Sequence, residues 1–176
     1  MLFHETDLRD ARMIEFRYLG DDRGFFARSF CAQEFADHGL HSTFVQQNSS
    51  QCLKKGTIRG LHFQRAPHVE VKLMRCLRGA VCNVIVDLRP ASPTYKRWQA
   101  FELTADNRRQ LYVPEGFANG YQALVDEAEV TYLVSTPYAP SAEGGVRYND
   151  PAFAITWPLE AAVVSEKDSN WPDFLG

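Results

Sequence analysis

Apolar and polar residues alternate over many short runs of this chain, a pattern that is typical of β-strands. Gly, Pro, Asn and Asp separate the clearest runs, which lie at 71–77, 80–87, 98–103, 110–113, 121–124 and 129–135. Shorter extended pieces are predicted at 14–18, 24–26 and 44–48, and a polar loop is expected from there to Lys55. Many short strands separated by turns predict a mainly β fold, an antiparallel sandwich or barrel.

A few short helices are expected within this frame. Ser29 is a suitable N-cap for a helix that runs to about His38, and Gly39 would end it. A second short helix is expected in the tail, over roughly 159–163. The chain shows no internal repeat, low-complexity segment or linker, so one domain over 1–176 is expected. Its expected parts are an N-terminal arm with edge strands (1–55), a barrel core (56–135) and a C-terminal extension (136–176).

Composition narrows the class of protein. With 176 residues, 45% of them hydrophobic, the chain is expected to bury a sizeable core. A net charge of −3 without any basic run argues against a nucleic-acid partner, and the apolar runs are too short for a membrane span. The four cysteines show no CxxC spacing, so reduced thiols in a cytoplasmic protein are expected.

The stretch 56–72 concentrates side chains that are suited to binding or catalysis. Arg59 offers a planar fork of donors that matches phosphate. His62 can take up and return a proton near neutral pH. Lys72 falls on the apolar face of its predicted strand, where a cation is costly unless something negative binds there. Structural roles for these side chains are the alternative.

Two further candidates lie outside this stretch. Tyr132 shares a strand face with Val130 and Val134, so its phenol should point to the core and needs a partner or a ligand there. Asp168 offers a carboxylate near the C terminus. A buried structural tyrosine and a solvated surface aspartate are the alternatives, and these residues alone leave them open.

Short motifs follow one another over nearly the whole chain. They are DRGFF at 22–26, GTIRGLHFQ at 56–64, DLR at 87–89, SPTY at 92–95, VPEGFA at 113–118, NDP at 149–151, ITWP at 155–158 and SEKD at 165–168. In this order and spacing they resemble the dTDP-4-dehydrorhamnose 3,5-epimerase family, whose members are cupin-type jelly rolls.

The resemblance implies an epimerase that inverts C3, C5 or both in a nucleotide-linked 4-keto-6-deoxyhexose, through an enolate, for deoxysugar or surface-polysaccharide biosynthesis. His62 would be the general base, oriented by Asp168. Lys72 would stabilise the enolate oxygen, and Tyr132 would return a proton from the opposite face of the ring. The resemblance implies neither a metal nor a cofactor.

The resemblance also implies a nucleotide-sugar site, with dTDP as the favoured nucleotide. Arg59 and Arg23 would hold the diphosphate, and Tyr138 would lie near the base or the sugar. The side chains that line the nucleotide pocket would be Phe26, Gln46 and Asn48. Arg23 and Phe26 would reach in from the partner subunit of a homodimer.

Three positions depart from the family pattern. Asn119 stands where the family usually has His, so it can donate a hydrogen bond to a sugar oxygen but cannot carry a proton. Arg28 replaces a usual Glu near the nucleotide base, which leaves room for another nucleotide or a longer sugar. Ser49 replaces a common His. These departures bear on the substrate and not on His62 as the base.

Three alternatives stay open at this point. The first is inversion at a single centre, C3 or C5, of a different nucleotide sugar. The second is a metal-dependent cupin, although Asn119 stands at the later ligand position and His62, His68 and Glu70 give an incomplete set. The third is a sugar-nucleotide binding protein without catalytic activity.

Overall fold

The computed structural model describes residues 1–176, and most of its regular structure is β-strand. The first sheet contains, in spatial order, Leu2–Glu5 (β1), Arg12–Glu15 (β2), Gln110–Val113 (β10), Lys72–Arg78 (β7), Ala128–Val134 (β12) and Gln46–Cys52 (β5). The second contains Glu143–Gly145 (β13), Thr57–Gln64 (β6), Phe117–Ala123 (β11), Ala80–Asp87 (β8) and Trp98–Thr104 (β9), with Val163–Val164 (β14) also paired to β6. Tyr18–Asp21 (β3) and Gly24–Ala27 (β4) form a separate hairpin.

Strand pairing is antiparallel throughout except for β14, which runs parallel to β6. Two short α-helices, Ala32–Asp37 (α1) and Glu166–Ser169 (α2), and a 3-10 turn at Pro140–Ala142 complete the fold. This mainly β jelly-roll sandwich with short helices confirms the predicted fold class. None of its helices has the length and apolar character needed to cross a bilayer.

The main core lies between the two sheets. It is one cluster of 16 buried residues. Met74, Leu111 and Val130 come from the first sheet, and Ile85 and Leu103 come from the second. Because side chains alternate along a strand, one face of each sheet can meet the other sheet in this way.

The outer face of each sheet is covered as well. On the second sheet, Leu61 and Val84 pack against Phe153 and Ile155 of the C-terminal segment. On the first sheet, Phe35 of α1 packs in a separate cluster with strand residues. With both faces covered, β8 is buried almost throughout, which explains its continuous apolar run.

The principal predicted strands are all present. Five of the six agree with the structure to within one residue at each end, whereas β11 begins at Phe117 and so is longer than the predicted 121–124. The additional residues of β11 are also buried, since this strand lies between β6 and β8 in the second sheet.

The first helix is present, but its predicted N-cap was wrong, and the second helix prediction was wrong in position. The first helix begins at Ala32, and its N-cap is Cys31, whose side chain makes no capping hydrogen bond. Its predicted end is correct, because Gly39 follows the C-cap with a φ of 69°. There is no helix at 159–163. Val163 and the next residue instead extend the edge of β6, where they gain a strand partner, and the tail helix forms at Glu166–Ser169.

The predicted polar loop before Lys55 was wrong as far as Cys52, and the extended piece predicted at 44–48 is part of a longer strand. Gln46–Cys52 is a strand that pairs with Ala128–Val134 along its whole length. Its alternation is hidden because the half-buried side chains, Gln46, Asn48 and Ser50, are polar like the exposed ones. All three line the cavities described below.

Asp87 is the most completely satisfied buried carboxylate of the structure and ends β8 with no exposed surface. It accepts hydrogen bonds from Arg89 Nε and Nη2 at 2.9 and 2.8 Å and from Thr94 Oγ1 at 2.7 Å, and it also accepts from Ser92. Burial alone would raise the pKa of Asp87, but these hydrogen bonds hold it below its ordinary value. The loop after β8 is thereby fixed to the sheet.

Replacing Asp87 by Ala should therefore destabilise the fold strongly. We expect the Asp87→Ala variant to lose about 3–5 kcal/mol of unfolding free energy, because the change leaves Nε of Arg89 and the hydroxyls of Ser92 and Thr94 without their buried acceptor. Urea unfolding followed by tryptophan fluorescence measures this loss. The exposed Asp106, whose carboxylate makes no hydrogen bond, supplies the control, and Asp106→Ala should change stability by less than about 0.5 kcal/mol. Similar losses in the two variants would contradict the prediction.

Candidate active site

A cavity of about 400 Å³ lies between the sheets, lined by residues of β5, β6, β7, β11, β12 and β14 and by α2 with its cap. A second cavity of about 370 Å³ adjoins it and shares His62, Lys72, Tyr132 and Lys167. The four residues predicted to be catalytic, which are His62, Lys72, Tyr132 and Asp168, all line the first cavity. Its volume is in the range typical of small-molecule sites.

His62 and Asp168 connect two distant parts of the chain. His62 lies on β6 and Asp168 on α2, and Nε2 of the imidazole donates to Oδ1 of the carboxylate over 2.6 Å. The other oxygen, Oδ2, accepts from the backbone N–H of Gly60 at 3.0 Å. Because a carboxylate can only accept, Nε2 must carry the proton, and Nδ1 is left as the ring atom with a free lone pair.

The Asp168 carboxylate is ionised in this arrangement. Asp168 is 3% exposed, and burial alone would raise its pKa, but the hydrogen bond and charge of His62 and the Gly60 N–H hold the pKa below its ordinary value. A negative charge at this position fixes the tautomer and the orientation of the imidazole. The pair is therefore suited to general-base chemistry.

Local contacts explain why the tail reaches this position. Ser165 caps α2 by accepting a hydrogen bond from the backbone N–H of Asp168 at 3.1 Å. After the helix, the indole of Trp171 packs against Gly145, where a Cβ atom would overlap the ring. Since Gly145 pairs with His62 in the sheet, the tail is held directly beside the base.

Lys72 forms an ion pair inside the cleft. Its Nζ lies 3.0 Å from Oε1 of Glu70, and the two side chains are only 13% and 11% exposed. Met74 follows on the same strand face and is buried, as the alternation predicted. From the sequence, Glu70 was considered only as a possible metal ligand. No group of three or more His, Cys, Asp and Glu side chains is arranged to hold a metal ion.

Tyr132 faces the cavity from the sheet opposite to His62. It lies on β12 of the first sheet with Val130 and Val134, both buried, on the same strand face, as predicted. Burial and the nearby Glu70 charge raise the pKa of Tyr132. The phenol therefore keeps its proton at neutral pH, which is the form that an acid requires.

Asn119 is held by polar partners within the core. Its Oδ1 accepts from Asn83 Nδ2 at 2.8 Å, and its Nδ2 lies 3.0 Å from Met74 Sδ. Asn119 and Met74 both line the first cavity. The Asn83 contact fixes the orientation of the amide, so that the NH₂ group of Asn119 is directed along the cavity wall.

Arg59 lines the first cavity together with Ser50 and Tyr121, which sequence reasoning missed. The guanidinium of Arg59 donates to the backbone carbonyl of Gln51 at 3.0 Å, which leaves further donors free. Tyr121 donates to Ser50 Oγ at 2.9 Å, and burial raises the pKa of Tyr121. Alternation along β11 from Asn119 indicates that Tyr121 faces the same way, a signal that was available in the sequence.

The second cavity holds three of the predicted substrate-binding residues, Gln46, Asn48 and Tyr138. Gln46 Nε2 donates to Asn48 Oδ1 at 2.9 Å, and Tyr138 donates to Glu143 Oε2 at 3.2 Å. Glu143 in turn pairs with Lys167 at 2.7 Å. Sequence reasoning missed Glu143, and it quoted Lys167 only as part of the SEKD motif.

Three predicted substrate-binding residues lie outside both cavities of the single chain. Arg23 is exposed at the tip of the β3–β4 hairpin and pairs with Asp21, and Phe26 on the same hairpin is 70% exposed. Arg28 pairs with Glu34 of α1 at 2.9 Å. The structure of one chain therefore does not bring these side chains to the cleft.

The family model for dTDP-4-dehydrorhamnose 3,5-epimerase matches residues 5–175. The dTDP-4-dehydrorhamnose 3,5-epimerase of Salmonella typhimurium is 42% identical over 174 residues, covering 98% of this chain and 94% of that protein. The crystal structure of the Bacillus anthracis enzyme of the same name, with TDP and PPi bound, matches at a TM-score of 0.94 with 44% identity and covers 98% of this chain and 99% of that one. The chain belongs to the dTDP-4-dehydrorhamnose 3,5-epimerase family.

A second solved member of the family, from Legionella pneumophila, was crystallised in complex with dTDP-4-keto-L-rhamnose. It matches at a TM-score of 0.89 with 38% identity and covers 96% of this chain and 89% of that one. The protein described here is thus an epimerase of the isomerase class, as the motifs predicted. The family match includes the four cavity residues, and their individual roles stay predictions.

In this epimerase the lowered pKa of Asp168 predicts a pH-dependent contribution to stability. The folded-state pKa lies below the unfolded one, so the stabilisation is present above the unfolded pKa of about 4 and is lost as the pH falls through the folded value. We expect Asp168→Asn to lower the unfolding free energy at pH 7, and the difference from the native protein to shrink on acidification. Urea unfolding at a series of pH values tests this, with Asp106→Asn as the control. A difference that stays constant with pH would contradict the prediction.

Proposed function

We propose that the protein inverts both C3 and C5 of a dTDP-linked 4-keto-6-deoxyhexose by removing and returning protons on opposite faces of the sugar ring. The observation that carries the proposal is the position of His62 and Tyr132 on opposite sheets, facing one cavity that also contains Lys72. A general base and a general acid across one ring are what inversion through a planar intermediate requires.

The proposed chemistry uses only side chains of the cleft. C3 and C5 both adjoin the C4 ketone, so loss of a proton from either carbon gives an enolate. His62 Nδ1 takes the proton, and the C–H electron pair moves into the ring as the ketone oxygen becomes negative. The Lys72 ammonium stabilises that oxygen. Tyr132 then gives its proton to the opposite face of the carbon, where the enolate electrons form the new C–H bond as the C4 ketone is restored. The Tyr132 phenolate takes up a proton from solvent, and the His62 imidazolium releases one to solvent.

The dTDP part of the proposal is supported by relatives and by the second cavity. The Bacillus anthracis structure has TDP bound, and the Legionella pneumophila structure contains a dTDP-linked keto sugar. In this chain, Arg59 would bind the diphosphate, and Gln46, Asn48 and Tyr138 would line the space for the rest of the nucleotide. Asn119 would donate to a sugar oxygen.

Inversion at both centres is favoured over inversion at one. The 3'-monoepimerase from Streptomyces bikiniensis is 31% identical to this chain with a TM-score of 0.89. The 3,5-epimerase from Bacillus anthracis reaches 44% identity. A binder without activity is disfavoured because the cavity keeps an oriented base, a protonated phenol and an ammonium together.

The proposal includes a homodimer in which the β3–β4 hairpin contributes to the partner's site. The hairpin exposes Leu19 and Phe26, each 70% exposed, and also Tyr18 and Phe25. Such an apolar projection is typical of a surface that is buried in an assembly. It would bring Arg23 and Phe26 to the cleft of the second subunit. We place the single epimerase domain in the cytoplasm, because its four cysteines are free thiols.

The opposed acid and base predict different results for two variants. His62→Ala should lose roughly a hundred- to ten-thousand-fold in both epimerisation and deuterium exchange, because no base remains. Tyr132→Phe should still exchange substrate protons, since His62 can return a solvent deuteron to the same face, but net inversion should fall by a similar factor.

Proton NMR in deuterated water, with exchange at C3 and C5 scored separately, measures both quantities on dTDP- and UDP-linked 4-keto sugars. Circular dichroism and dTDP binding verify that each variant is folded. Loss of exchange and inversion together in Tyr132→Phe would contradict the assigned acid role. Inversion by the native enzyme at C3 alone would favour the single-centre alternative.

If the hairpin lies in the homodimer interface, a substitution that introduces a charge there should weaken both dimer assembly and nucleotide binding. Phe26→Asp should shift the molecular mass from dimer to monomer and raise the Kd for dTDP about tenfold or more, because a buried aromatic contact is lost. Light scattering and calorimetry measure the two effects. Leu175 is 94% exposed at the C terminus, so Leu175→Asp is the matched control and should change neither. A Phe26→Asp variant that stays dimeric and binds dTDP with native affinity would contradict the proposed homodimer.

A further inference from the structure

Glu70 and Lys72 form the least solvated lysine–carboxylate pair of the structure. Glu70 is two residues before Lys72, so both side chains point to the same side of an extended segment, while Val71 between them is buried on the opposite side. Their charged atoms are 3.0 Å apart, and the side chains are 13% and 11% exposed. Neither side chain has another oppositely charged group within 4.0 Å.

The other lysine–carboxylate pair of the cleft is separate from this one. Glu143 is taken up by Lys167 and by the hydroxyl of Tyr138, so it is not available to Lys72. Glu70 is therefore the carboxylate that compensates the Lys72 charge. An ammonium at this burial without an opposite charge would be costly.

A lysine side chain also needs a restraint if its charge is to act at one point. Its flexible four-carbon stem carries considerable rotamer freedom, and stabilisation of an oxyanion depends on donors that are held in place before the charge develops. His62 has such a restraint in Asp168. Glu70 stands in the same relation to Lys72.

We propose that Glu70 is a positioning residue that holds the Lys72 ammonium where the enolate oxygen forms. The inference rests on the proposed function of Lys72 and deepens it. The ammonium has three N–H donors, so it can face Glu70 and still direct donors to the substrate. Glu70 and Lys72 both line the second cavity with Tyr132, which places the pair at the same wall as the proposed acid.

The first test compares two variants at position 70. Glu70→Gln keeps the shape and removes the charge, and it should lower kcat and kcat/KM together by about ten- to a hundred-fold. Glu70→Asp keeps the charge and should recover part of that loss. Calorimetric binding of dTDP, which lacks the reacting sugar, should be unchanged. The melting temperature of each variant separates these effects from unfolding.

The sign of the effect distinguishes positioning from mere proximity. The Glu70 charge by itself opposes a developing enolate, so a carboxylate that only lies nearby would slow the reaction. An unchanged or increased kcat in Glu70→Gln would therefore overturn the inference, and so would a weakened dTDP affinity at native kcat. Glu102→Gln, on an exposed position of β9 outside both cavities, is the matched control and should match the native enzyme.

A second arm separates this inference from the proposed function. Lys72→Met should lose most of the activity, and adding Glu70→Gln to it should cause little further loss, because Glu70 acts through Lys72. If Lys72→Met keeps native activity, the proposed role of Lys72 fails. If Lys72→Met is inactive and Glu70→Gln is native, only the role of Glu70 fails. If Glu70→Gln reduces activity by the same factor in the native enzyme and in the Lys72→Met variant, the proposed role of Glu70 is also overturned.

Discussion

Charged side chains that lie between two apolar sheets must be compensated by opposite charges or by hydrogen bonds. Two lysine–carboxylate pairs line the cleft, Lys72 with Glu70 and Lys167 with Glu143, beside the hydrogen-bonded dyad of His62 and Asp168. For the buried members, Lys72, Glu70 and Asp168, an uncompensated charge would cost several kcal/mol, comparable with the whole stability of a domain. The pairing lets a jelly roll keep proton-transfer groups in its interior. It also fixes where each charge lies before a substrate arrives.

Strand β6 is the element that organises this arrangement. It pairs with β11, β13 and β14, and it supplies Arg59 and His62 to the cleft. Gly60 between them has a φ of 108°, and a Cβ there would lie 2.7 Å from the carbonyl oxygen of Asn119. Only glycine allows this approach of the two strands. The same residue donates its N–H to Asp168, so backbone geometry and the orientation of the base are set at one point.

Alternation predicted much of the fold, because most strands have one face in an apolar core. It placed Tyr132 beside Val130 and Val134 and therefore on the inner wall. It failed for β5, whose inner side chains are polar because they face a cavity instead of a core. No local pattern predicted that Asp168 would meet His62, since 106 residues separate them. Family motifs supplied that pairing, and they gave no role to Glu70, which only the ion pair with Lys72 revealed.

The carboxylate that orients the base comes from the last nine residues of the chain, whereas the base itself lies on one of the central strands. During synthesis, His62 emerges long before its partner, and the dyad is completed only when the final turn of helix has left the ribosome. Proteolysis or premature termination just before α2 would keep every strand of both sheets, β14 included, but remove the partner of the imidazole. The segment that carries α2 is thus a chemical requirement of this protein as well as a structural one.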